Sequence, residues 1–137
     1  MKQQIITIAA IALIALTAAH AQTNPSTEQT KSIRIAGNLV NALRSGNTGA
    51  VESALRMTAL LRLRYPAADL TVLTEEVETV RENHPSGTTR YKAYVVLSFL
   101  ENPSWYAEER DVLDADEAGF FHAAARRMQH QLLSVNE

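Results

Sequence analysis

Apolar residues are arranged along this 137-residue chain in two ways. Near the start they form one block, residues 5–19, uncharged and dominated by Ile, Leu and Ala. Beyond it they recur every three or four residues, the spacing that gathers side chains on one face of an α-helix. No segment sustains the strict alternation of a half-buried strand. The pattern therefore predicts an all-α domain of about five helices.

The first helix is expected to begin near Thr27, where Ser26 and Gln29 have capping-box spacing, and its stripe reads Ile33, Ala36, Leu39, Val40 and Leu43. Ser45-Gly46 ends it, with Gly46 suited to the left-handed position just past a helix. Asn47 or Thr48 caps a second helix that buries Val51, Ala54, Leu55, Thr58 and Leu61, with Met57 and Leu60 widening the face. Pro66 disfavours helical geometry at Tyr65, which stops this helix near Arg64. Asp69 is placed to cap a third helix with Leu70, Leu73, Val77 and Val80 on one side. Glu75, Glu76, Glu78 and Glu82 take the other side as a solvated face, and Asn83-His84-Pro85 closes it. The fourth helix, residues 88–101, carries Tyr91, Ala93, Tyr94, Val95, Val96, Leu97, Phe99 and Leu100. That leaves little room for a polar face and predicts the most buried helix. Asn102-Pro103 is both a stop and a start, leading into one or two turns over residues 104–109. Asp114 with Glu117 resembles a capping box for the last helix, which bears Phe121, Ala125, Met128 and Leu132, with Phe120 and Ala124 beside them.

The leading block has a different meaning. Lys2 precedes it, and Ala19-His20-Ala21 supplies the two small residues that a signal peptidase reads, before the polar Gln22-Thr23-Asn24-Pro25. Together these make a tripartite secretory signal. A membrane-spanning helix wants about 20 apolar residues, more than the block provides. The expected organisation is a signal peptide over 1–21, a polar leader over 22–30 and a single α-helical domain over 31–137, in a protein exported to the periplasm or the extracellular space. With no cysteine, the chain has no disulfides, thiolate zinc site or thiol nucleophile.

The middle of the chain reads as two copies of a helix–turn–helix unit. Leu43-Arg44 aligns with Val80-Arg81, and Tyr65-Pro66 with Asn102-Pro103, both 37 residues apart. Glu52-Ser53-Ala54-Leu55 aligns with Tyr91-Lys92-Ala93-Tyr94 at an offset of 39, which a slip in the intervening turn would reconcile. By this spacing, residues 31–103 resemble HEAT-like helical repeats, whose paired helices stack because one pair cannot bury its face alone. The chain also resembles small exported helical proteins of unassigned function in which a VESAL helix and a RYKAY helix are each followed by a proline; here these are residues 51–55 and 90–94. The resemblance implies binding surfaces and scaffolding, with the last helix as a cap, and it implies no chemistry.

Charge is unevenly spread. Residues 31–92 sum to +3 and residues 93–137 to −5, which reads as two solvated faces of one domain or, alternatively, as an acidic end that meets a basic partner. A nucleic-acid binder would need a far stronger basic stripe. His122 and His130 stand eight residues apart on one helix, about 12 Å along its axis, too far for one metal. Asp114-Ala115-Asp116-Glu117-Ala118-Gly119 opens like a calcium loop, but Ala118 and Ala125 occupy ligand positions. No nucleophile elbow or phosphate-binding glycine loop is present. The expectation is a protein without catalytic, metal or cofactor residues. It binds another protein or peptide, neither nucleic acid nor, after signal cleavage, a membrane. The candidate partner-binding residues are Arg90, Tyr91, Lys92, Trp105 and Tyr106, since Trp, Tyr and Arg dominate interaction hot spots; the competing reading is that Trp105 and Tyr106 close the end of the core. The alternative is a small-molecule or ion carrier with a pocket between helices.

Overall fold

The computed structural model describes residues 25–135, so the expected signal peptide and its cleavage point lie outside the described residues. The fold is all-α, with no strand among the described residues. The helices are α1 (Pro25–Leu43), α2 (Thr48–Arg64), α3 (Thr71–Asn83), α4 (Gly87–Glu101), a four-residue α5 (Arg110–Leu113) and α6 (Glu117–Ser134). A 3₁₀ turn, Pro103–Trp105, follows α4. Helix α1 starts within the segment expected to be polar leader, and α5 is an element that the periodicity did not announce.

Local chemistry sets the boundaries. Gly46 takes a φ of 70°, the left-handed conformation that turns the chain after α1. Asn47 caps α2 by accepting from the Ala50 amide at 3.0 Å, and Ser86 caps α4 by accepting from Thr89 at 3.2 Å. Asp69 accepts from the Thr71 amide at 3.0 Å and the Thr71 hydroxyl at 2.6 Å, although the cap position of α3 itself is Leu70. Before α6 the cap is Asp116, accepting from Gly119 at 2.7 Å, rather than Asp114. The α5 turn ends at Asp114 and shifts the start of α6 by two residues.

Short connections make α1 and α2, and likewise α3 and α4, adjacent packed pairs. The pairs lie side by side, α1 against α3 and α2 against α4, and α6 crosses over α4 and α2. Helix α4 is thus covered by three neighbours. It buries Thr89, Ala93 and the whole run of residues 95–100. Each large apolar side chain taken out of water in this way contributes about 1.5–3 kcal/mol. The α2 stripe is buried as its spacing predicts, with Ala59 added, and so is the α3 stripe. Five residues expected inside are exposed instead: Ile33, Met57, Tyr91, Tyr94 and Leu132. Each keeps more than two fifths of its surface open to solvent.

An aromatic stack forms the centre of the α4–α6 half. Phe99 lies face to face with Tyr106, ring centroids 3.6 Å apart, and Phe120 stacks on Phe99 at 5.5 Å. Phe121 meets Phe120 edge-on at 5.1 Å. The buried Tyr106 hydroxyl is satisfied by the Ser98 hydroxyl at 2.5 Å. Polar links join the helices at their margins. Glu52 accepts from Lys92 at 2.6 Å and from the buried Thr89 hydroxyl at 2.9 Å, tying α2 to α4. Arg44 pairs with Glu76, tying the end of α1 to α3. Ser53 donates to Glu117 at 2.7 Å, and Arg56 donates to the Ala115 carbonyl at 2.9 Å, so α2 also holds the start of α6.

Candidate functional site

The five residues proposed for a single patch are dispersed by the fold. Tyr106 has no exposed surface; it belongs to the aromatic stack. Burial pushes its phenol above the ordinary tyrosine value, only partly offset by the Ser98 hydrogen bond. Lys92 is turned toward α2 by Glu52, and its ammonium lies 5.0 Å from the centre of the Phe121 ring. Burial raises the Glu52 carboxyl, but its bonds from Lys92 and Thr89 outweigh that and leave it below the usual carboxylate value. Arg90 folds back on the turn that precedes α4, donating to the carbonyls of His84 at 2.6 Å and Pro85 at 3.1 Å. These three residues hold the fold together. Tyr91 and Trp105 remain as surface-reaching aromatics.

Tyr91 does not stand alone. Tyr94, three residues on and 45% exposed like Tyr91, brings its ring centre to 6.3 Å. Positions 91, 94, 98 and 101 share one side of α4, because three- and four-residue steps return to the same face of a helix. That side leads into a cleft of about 300 Å³ bounded by α3, the end of α4, the 3₁₀ turn and the C-terminal part of α6. Its apolar walls are Tyr94, Leu97, Trp105, Met128 and Leu132, and its polar rim is Glu78, Arg81, Glu101 and Asn102. Ser98 lies at the floor, already committed to Tyr106 and to the Val95 carbonyl.

Trp105 is placed by its backbone. Pro103 sets the turn, the Trp105 amide donates to the Asn102 carbonyl at 3.1 Å, and the Trp105 carbonyl accepts from Arg127 Nε at 2.8 Å. Arg127 also pairs with Glu109 at 3.1 Å, so one α6 side chain fixes the whole connection between α4 and α5. The indole is partly buried against the core and partly open to the cleft. The rim charges are unequal. Arg81 is held by Glu78 at 2.8 Å and Glu82 at 3.1 Å. Glu101 belongs to none of the ion pairs among the described residues.

A larger groove of about 590 Å³ lies between the start of α1 and the α2–α3 connection. Its Asp69 carboxylate is taken up within its own turn, where the Thr71 hydroxyl and amide hold it below its usual value, and Arg64 lies over the ring of Tyr65 at 5.8 Å. Among the described residues no three His, Cys, Asp or Glu side chains are grouped to hold a metal ion. No described helix is long and apolar enough to cross a membrane.

The sequence pointed to Tyr91, Tyr94 and Trp105 but missed Glu101 and Leu132 as members of one surface. The available signal was the 91–94–101 spacing along α4, which continues past the buried run and marks a second face. No family model, curated protein or solved structure matches this chain.

Proposed function

We propose that the protein is an exported, non-catalytic helical interaction module that engages another protein through the aromatic cleft at the α3–α4–α6 end. The observation that carries this reading is the exposure of Tyr91 and Tyr94 beside a half-open Trp105, on a helix whose Phe99 is buried in a stack with Tyr106 and Phe120. Rigid aromatic rings at a partly open cleft are the side chains that supply most binding energy at protein interfaces. Export is supported by the charge, apolar block and Ala19-His20-Ala21 of residues 1–21.

The two helical pairs are proposed as HEAT-like units. Supporting this, Tyr65 and Asn102 end α2 and α4 in near-identical conformations (φ −128°, ψ 71° and φ −130°, ψ 60°), each just before a proline. The caps that start these helices, Asn47 and Ser86, are 39 residues apart, whereas Tyr65 and Asn102 are 37 apart. The offset thus rises from 37 at Leu43 and Val80 to 39 across the turn and returns to 37 along the second helices, α4 being the shorter by two residues.

The test is site-specific photo-crosslinking in the producing cell, with the reactive group at Tyr94 or, as control, at the exposed Met57 on α2. A discrete protein adduct from position 94 alone is expected. Equal labelling from both positions, or none from either, would remove the support. A small molecule of fixed mass retained in native mass spectrometry would favour a carrier instead.

A further inference from the structure

We infer that the cleft receives an arginine side chain from a basic segment of the partner, an assignment that rests on the interaction reading above and names its chemistry. Three observations converge on a cation. The cleft has aromatic walls in Tyr94 and Trp105, and guanidinium groups stack on such faces better than any other charged side chain. Its rim carries two carboxylates, Glu78 and Glu101, and a single base, Arg81, which Glu78 and the adjacent Glu82 already hold. Glu101 is then the charge left over.

Its position sharpens the point. Glu101 is the last residue of α4, and the last turn of that helix has no basic residue. A helix C-terminus carries partial negative charge, so a carboxylate there is disfavoured and a cation welcome. A guanidinium entering beside Tyr94 and Trp105 meets the Glu101 carboxylate and the end of the helix together. Its aliphatic stem is matched by Leu97, Met128 and Leu132 along the walls. An acidic or purely apolar segment would leave Glu101 without a partner inside a covered interface, which is costly. The excess of acid over residues 93–137 would favour approach of the same basic partner from a distance.

The protein purified from its producing cell is titrated with hexa-arginine, and with hexa-glutamine as a neutral control, following the emission of the single tryptophan and the heat of binding. Saturable one-to-one binding of hexa-arginine with a change in Trp105 emission is expected. Glu101→Gln should weaken it about fivefold, the loss expected for one charge pair, and Tyr94→Leu about threefold through the lost ring face. Glu108→Gln, the same charge change at an exposed site outside the cleft, should leave the affinity unchanged. Equal weakening by Glu101→Gln and Glu108→Gln would overturn the assignment in favour of diffuse attraction. Free arginine binding as tightly as the peptide would overturn it in favour of a small-cation site. A discrete adduct at position 94 in the cell, together with silent titrations, would sink the arginine assignment and leave the interaction reading standing. Silent titrations without any adduct would sink both.

Discussion

Phe99 and Tyr94 lie five residues apart on the same helix, yet Phe99 has no exposed surface and Tyr94 is 45% exposed. Around Phe99, neighbours arrive from the turn after α4 and from α6, and Tyr106 and Phe120 stack on its ring. Tyr94 instead has the exposed ring of Tyr91 beside it. Phe99 and Tyr94 are both aromatic residues of α4, so what separates the core one from the surface one is coverage by neighbouring elements. The stack specifies how α6 seats on α4. The exposed pair, with Trp105 between the two groups, provides apolar surface that the fold does not use.

Truncation should break this contrast most strongly at its buried end. Tyr106→Ala removes a stacked ring and its hydroxyl bond, and is expected to cost about 3–5 kcal/mol in denaturant unfolding, as for other buried aromatics. Trp105→Ala should cost less, about 1–2 kcal/mol, because only part of the indole is covered. It should also abolish adduct formation from position 94. A loss as large as that of Tyr106 would place Trp105 with the core.

Tyr106→Phe sharpens the comparison further. It keeps the ring and deletes the bond to Ser98, for an expected loss of about 1 kcal/mol near neutral pH. The phenol also makes stability depend on pH. Its folded value is raised, so its contribution is complete below the ordinary value of 10.0 and is lost as pH rises beyond it, because the unfolded chain ionises first. Wild type should therefore lose more stability than Tyr106→Phe between neutral pH and strongly alkaline pH, measured by the denaturant midpoint. The smallest effect is expected at Tyr94→Ala, within about 0.5 kcal/mol, as for an exposed side chain away from special contacts. A loss above 2 kcal/mol would show that Tyr94 is structural after all.

Much of this architecture was legible beforehand. The stripes of α2 and α3 are buried residue by residue as their spacing indicates, since each faces a neighbour along its length. Pro66 and Pro103 mark helix ends because proline constrains the residue before it, and Tyr65 and Asn102 both leave helical geometry. Helix α4 was harder to read. Its near-continuous apolar sequence suggested burial all round and masked the spacing of positions 91, 94 and 101 that marks a second face. The candidate site suffered for the same reason. Arg90, Tyr91 and Lys92 are consecutive in sequence, but a helix turns about 100° per residue, and the fold sends the three in different directions. Tyr94, Glu101, Trp105 and Leu132 are brought together only by the way α6 crosses α4, which is tertiary information. The Asp114 cap failed because four residues of local helix could not be foreseen from a segment as short as α5.

The crossing of α6 over α4 and α2 also bears on the order in which the molecule assembles. Each helical pair is closed by a connection of three or four residues, so its contacts are local and form early. The rings of Phe99 and Tyr106 are likewise near in sequence. Their cover, Phe120 and Phe121, arrives only with the last helix. A chain that emerges from its N-terminus can thus build both pairs and still display an uncovered aromatic surface until Glu117 and the residues after it have appeared. Truncation ahead of α6 would leave an intermediate of this kind permanently, sticky and open to proteases, with most of its helix content already in place.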